Sequence, residues 1–129
     1  MKKFHIDTNI IIRFLIKDVA TQFAEAKSFF EKIEKGKVKG VISILVVNET
    51  IWVLENYYEL KRTIYIPLLL QLLALKNIVI KEIKKKVVVE VLEEMMKFSV
   101  DFTDLYLIKT KEEGEIISFD KDLKKKDFD

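Results

Sequence analysis

The chain has 129 residues, half of them hydrophobic and about a third charged, with three glycines, one proline and no cysteine. That length allows one real core but not two, and that composition excludes a disordered, collagen-like or disulfide-stapled chain, a thiolate nucleophile and a sulfur-bound zinc site. Twenty-three basic against 21 acidic residues leave a net charge of +2, so bulk charge alone does not mark a nucleic-acid binder, and the missing cysteines make the cytoplasm the default expectation.

The opening run MKKFHIDTNIIIRFLIKD places lysines before an apolar stretch, as export signals do. Asp7, Asn9 and Arg13 interrupt it and no small-residue cleavage site follows. No apolar run approaches the ~20 residues that span a bilayer, so no membrane span is expected.

Short apolar runs alternate with longer helical patterns. Residues 3–6 read as a strand, 10–16 as a helix, and 19–35 as a second helix with Phe23, Ala26, Phe29, Phe30 and Ile33 at helical spacing, stopped by Gly36. Residues 40–42 read as a buried strand, and Ser43 is placed to cap a helix reaching about Tyr58. Another helix is predicted over 63–76, with Pro67 near its first turn and Asn77 ending it. Then come a strand over 78–80, helices over 84–98 and 101–112, and a fourth strand over 115–119 after Gly114. Strands too apolar to face water on either side argue for a parallel sheet covered on both faces by helices, a three-layer α/β domain. Such folds gather their functional groups outside the carboxyl ends of the strands. The runs Lys84-Lys85-Lys86 and Lys124-Lys125-Lys126 read as solvated surface.

Four acids stand where acids are costly or conspicuous. Asp7 directly follows the first strand and Asp120 closes the fourth; taken alone, each reads as a cap or turn residue. Glu49 has Leu45, Val46, Trp52 and Val53 three and four residues away, which predicts an inward helix face. An unpaired carboxylate there is expensive, so the expectation is an ion pair, a protonated acid or a metal ion. Asp104 has Leu107 and Ile108 ahead and Val100 and Asp101 behind; Asp101 and Asp104 also fit the N-cap and third position of a capping box. If these acids converge they raise one another's pKa unless a cation intervenes. With no cysteine and one histidine, His5, expected to be structural within the first strand, oxygen ligands point to Mg²⁺ or Mn²⁺ rather than zinc. With His5 taken as structural no Ser/His/Asp triad can be built, and three isolated glycines make no phosphate loop.

The segments FHIDTNIIIRFL, SILVVNETIWVL, VDFTDLYLI and IISFDKDL resemble, in order and spacing, the PIN-domain ribonucleases, especially the VapC-like toxins of prokaryotic toxin-antitoxin pairs. The resemblance covers nearly the whole chain. It implies a single PIN domain over residues 1–129, an α/β/α layering with a short central parallel sheet of four to five strands. It also implies metal-dependent endonucleolytic cleavage of RNA. The family's acids fall on Asp7, Glu49, Asp104 and Asp120, which would bind one or two Mg²⁺ or Mn²⁺ ions that activate water for in-line attack. Asp101 matches a position that is often acidic and joins the candidate metal ligands. Asn9 matches the DTN signature and is expected to orient a carboxylate or a water, with Thr8 and Ser118 assisting. Arg13, Lys121 and the lysine runs are candidates for phosphate contacts to single-stranded or looped RNA.

As implied partners, the resemblance adds a second copy of the chain in a homodimer and a small antitoxin that blocks the groove. It departs from the family in its lysine-rich DLKKKDFD end, so a fifth strand is expected to be missing or very short. The apolar helix over 64–75 suits either a dimer face or plain burial. A phosphatase with an Asp nucleophile would need a second Asp where Asn9 stands, and a receiver domain would need an acceptor Asp where Lys81-Glu82 follow the third strand. The remaining rival is a catalytically silent PIN-like module that binds RNA or protein.

Overall fold

The computed structural model describes residues 1–120 and Leu123. In chain order the elements are β1 (Lys2–His5), α1 (Thr8–Ile16), α2 (Ala20–Glu34), β2 (Val38–Ile42), α3 (Ile44–Asn56), α4 (Arg62–Leu73), β3 (Ile78–Ile80), α5 (Lys85–Met95) and α6 (Phe102–Thr110). Two helices separate each strand from the next, long enough crossovers for all three strands to run parallel in the order β1-β2-β3. Phe4 lies opposite Gly40, and Gly40 opposite Ile78.

The central strand is tightly enclosed. A Cβ on Gly40 would lie 2.8 Å from the Cδ1 of Ile6, 2.9 Å from that of Ile33 and 3.1 Å from that of Ile78. Three buried isoleucines already fill the space a side chain would take, which is why the middle of β2 is glycine. Ile33 comes from α2 and packs on β2, while α4 packs on β3 and on α5, which in turn packs on α6. Phe14 of α1 joins Phe30 of α2 at a ring separation of 4.6 Å.

Local signals set the helix ends. After α2, Gly36 takes φ +75°; its N–H donates to the Ile33 carbonyl at 3.0 Å and the Lys37 N–H to that of Lys32 at 2.9 Å. This is the left-handed glycine stop anticipated from the sequence. Ser43 caps α3, accepting from the Leu45 N–H at 3.2 Å. In α4, Pro67 is the sixth residue, further inside than its expected place near the first turn. The helix tolerates it because tertiary burial dominates: Tyr65, Ile66, Leu69, Leu72 and Leu73 are all in the core, which accounts for most of that helix's apolar surface.

The sheet is smaller than expected. Among the described residues it has three strands, not four to five, and residues 115–119 form no strand. Ile117 and Phe119 stand in solvent, 95% and 102% exposed. Of the two edges of the sheet, β1 and β3, the first has four residues, KKFH, that are all exposed. An edge so charged and wet offers little apolar burial to a further strand, and edge lysines oppose pairing. The lysine-rich end on which a fifth strand would depend lies outside the described residues, except for Leu123, which is buried. Among the described residues no helix is long and apolar enough to cross a membrane.

Candidate functional site

The carboxyl ends of the three strands lead into the segments that carry the candidate residues. Asp7 follows β1 and occupies the N-cap of α1 with an extended backbone, without using its side chain to cap the helix. The next residue, Thr8, is buried, and its hydroxyl donates to Oε1 of Glu49 on α3. This bond brings the start of α1 and the second turn of α3 together although 41 residues separate the partners. A longer contact, 3.4 Å from the Thr103 hydroxyl to Oδ1 of Asn48, ties the same part of α3 to the first turn of α6, where Asp104 sits. Two hydroxyl contacts therefore join the neighbourhoods of Asp7, Glu49 and Asp104.

Glu49 does not face inward, contrary to what its apolar neighbours predict. It is exposed, as are Leu45 and Trp52, while α3 buries Val47, Thr50, Ile51 and Leu54 instead. Thr50 joins the buried face because its hydroxyl donates to the Val46 carbonyl at 2.7 Å, so no polar atom is stranded. The cost of burying an unpaired carboxylate thus does not arise at Glu49. What is unusual there is the company of large apolar side chains left in water. Asp104 is half-buried, and Asp7 and Asp120 are exposed.

The other candidates fall around this core in different ways. Asp101 is the N-cap of α6 but makes no side-chain capping bond, so the capping box is not formed; the carboxylate instead lies 3.5 Å from Nη2 of Arg62. Arg62 also donates to the carbonyls of Met95 and Phe98 at 3.1 and 3.0 Å, fixing the end of α5 against the start of α6. Ser118 accepts from the Asp120 N–H at 2.9 Å, a local turn that orients the last acid's backbone. Asn9 is exposed in the first turn of α1, and His5 is exposed on β1. Arg13 is held by Gln22 at 2.7 Å, Tyr58 at 3.1 Å and Asp18 at 3.5 Å, tying α1 to the segment after α3. Lys121 lies outside the described residues.

Glu82, just beyond β3, was not singled out from the sequence. Its carboxylate accepts from the Ser43 hydroxyl at 2.6 Å and from the Ile44 N–H at 2.8 Å. These two hydrogen bonds, first the hydroxyl and then the backbone amide, hold its pKa below the ordinary glutamate value. An acid at a helix start also meets the positive end of the helix dipole. The available signal was its place at the carboxyl end of the third strand, parallel to Asp7 after the first. Glu82 fixes the origin of α3 and so the helix that carries Glu49.

The carboxylate and hydroxyl oxygens around Asp7, Thr8 and Glu49 suit a hard divalent cation by chemistry. Among the described residues, however, no three His, Cys, Asp or Glu side chains stand together closely enough to hold a metal ion. Among the described residues, a groove of about 510 Å³ between α1, α2 and α4, where Phe14, Phe23, Phe30 and Leu72 meet Lys27 and Glu31, includes none of the candidate acids.

Comparison with known proteins places these features. Searches of curated proteins and of solved structures returned no match. The family profile described as PIN domain matches residues 5–129, a span that contains Asp7, Glu49, Asp104 and Asp120 and every element from α1 onward. With a parallel α/β fold and a match over nearly all its length, the chain belongs to the PIN domain family, a family of nucleases.

Proposed function

We propose that this protein is a Mg²⁺- or Mn²⁺-dependent endoribonuclease acting on single-stranded or looped RNA, and that it is the toxin of a toxin-antitoxin pair. The observation that carries the reading is the bond from Thr8 to Glu49, which draws the acid of α3 to the end of β1 where Asp7 stands. Asp7 and Glu49 are the proposed core of the cation site. Mg²⁺ is commonly held by one or two carboxylates plus substrate phosphate and water, so a pair is a sufficient protein contribution. When bound, the cation supplies charge neutralisation at the phosphodiester and lowers the pKa of an attacking water.

The chain's own residues have separate tasks. Thr8 fixes one oxygen of Glu49 and thereby the direction of the other. Asp104 and Asp120 complete the acidic set, Asp101 adds to it, and Asn9 and Ser118 orient carboxylate or water. Lys121 contacts phosphate; Arg13, already engaged by Asp18, Gln22 and Tyr58, contributes less. The protein acts as a single PIN domain, as a cytoplasmic homodimer, and is restrained by a small antitoxin.

A second reading, a silent PIN-like module that binds RNA or protein, is favoured by the ion pair between Arg62 and Asp101: an acid neutralised by an internal guanidinium has less need of a cation. Nuclease assays on structured and unstructured RNA with Mg²⁺, Mn²⁺ or EDTA separate the two. Wild type is expected to cut only with metal, and Asp7→Asn and Glu49→Gln to lose cleavage; variants as fast as the parent rule the assignment out. Growth arrest on expression, relieved by Asp104→Asn, tests the toxin role.

A further inference from the structure

The outward face of α3 is not an ordinary solvated face. Leu45, Asn48, Glu49, Trp52 and Asn56 follow one another at helical spacing and all five are exposed. Solvated helix faces are usually charged, yet this stripe has one charge, Glu49, between a leucine 75% exposed and a tryptophan 62% exposed. Trp52 is one turn from Glu49. Asn48 and Asn56 stand on either side of it, the latter donating to the Trp52 carbonyl at 3.0 Å.

Two kinds of occupant suit an exposed indole: a protein surface or a nucleobase. A protein laid across Leu45 and Trp52 must also cover the Glu49 carboxylate between them, which is costly unless that partner brings a cation to pair with it, as a blocking antitoxin would. The apolar area is also small. One tryptophan and one leucine supply a few hundred Å², against about 800 Å² per partner in a standard stable interface. A nucleobase needs only the face of the ring. It leaves Glu49 uncovered and finds amide donors and acceptors beside it. Base–aromatic stacking also requires an unpaired strand, whose bases are free to splay out.

We infer that Trp52 is a nucleobase platform, stacking one base of a single-stranded RNA a helical turn from Glu49 and so setting which phosphodiester reaches the acids. The inference rests on the nuclease reading above but has its own readout. Trp52 is the only tryptophan, so the protein's indole emission reports this position alone.

The full chain carrying Glu49→Gln, in Mg²⁺, is titrated with oligoadenylate and with an abasic ribose-phosphate oligomer of the same length. Oligoadenylate is expected to quench the emission and the abasic oligomer to leave it unchanged. In the wild-type background, Trp52→Ala is expected to raise KM for single-stranded RNA about tenfold with kcat altered less than about twofold, and Trp52→Phe to restore most of the loss. Cleavage with unchanged KM in Trp52→Ala, equal quenching by both oligomers, or no response to either overturns the platform and leaves the nuclease reading intact. Emission that shifts on dilution without RNA, with a dimer that Trp52→Ala dissociates, assigns the face to a second copy and also overturns it. Quenching by oligoadenylate alone, with no cleavage in any metal, upholds the platform and overturns the nuclease reading.

Discussion

Helices α2 and α3 bury similar stripes and present very different ones. The inward residues of α2 are Ala26, Phe30 and Ile33, and those of α3 are Val47, Thr50, Ile51 and Leu54. Outward, α2 shows Gln22, Glu25, Lys27, Glu31, Lys32 and Glu34, a solvated mixture of both charges. The outward face of α3 has Leu45, Asn48, Glu49, Trp52 and Asn56. The starts differ too: α2 begins at Val19 without a side-chain cap, whereas α3 is held by Ser43 and, from across the sheet, by Glu82. A helix whose origin is fixed from two directions and whose exposed face is not adapted to water is the one suited to present functional groups.

The largest expected effect removes what the two helices share. Ile33→Ala and Leu54→Ala, both at fully buried positions, are each expected to cost about 2–5 kcal/mol in chemical denaturation. Unequal losses would show that the two buried faces are not equivalent. Next is the contrast between outward acids. Glu49→Gln should lower RNA cleavage about 100-fold or more while shifting the melting temperature by no more than about 2 °C, since the residue is exposed. A large loss of stability instead would make Glu49 a structural residue.

A smaller effect tests the anchoring of α3. Because hydrogen bonds from Ser43 and Ile44 lower the folded pKa of Glu82, its contribution is present above the ordinary glutamate pKa and is lost as pH falls through the lowered folded value. Glu82→Gln is expected to lose stability at neutral pH, by less than about 1 kcal/mol because solvent screens the exposed carboxylate, and to flatten the acid limb of the stability profile, measured by urea denaturation at stepped pH. The smallest change is expected on the outward face of α2, where Glu31→Gln should leave both cleavage and stability, the latter within about 0.5 kcal/mol, as they were. A cleavage defect there would erase the contrast between the helices.

The legibility of this protein in its sequence was uneven, and each gap has a physical cause. The glycine stop at Gly36 and the serine cap at Ser43 were readable because they depend on one or two residues and their own backbone. The alternation of strands and helices was readable from periodicity. The strand expected over residues 115–119 was not settled by periodicity, because a strand needs a partner edge supplied by the rest of the chain, and periodicity does not say whether an edge is free to pair. Glu82 escaped notice because its partners, Ser43 and Ile44, are 39 and 38 residues away. Asp101 fitted a capping box by spacing, but a guanidinium from α4 took its side chain.

Sequence alone determined the family and the order of elements from β1 to α6, because motifs and helical spacing are properties of neighbours along the chain. Only the tertiary structure decided which side of α3 meets water. Helical spacing groups Leu45, Glu49 and Trp52 on one face and Val47, Ile51 and Leu54 on another, and both are apolar enough to be buried. The choice depends on which stripe finds a packed layer beneath it, and that surface is built by residues from the rest of the chain.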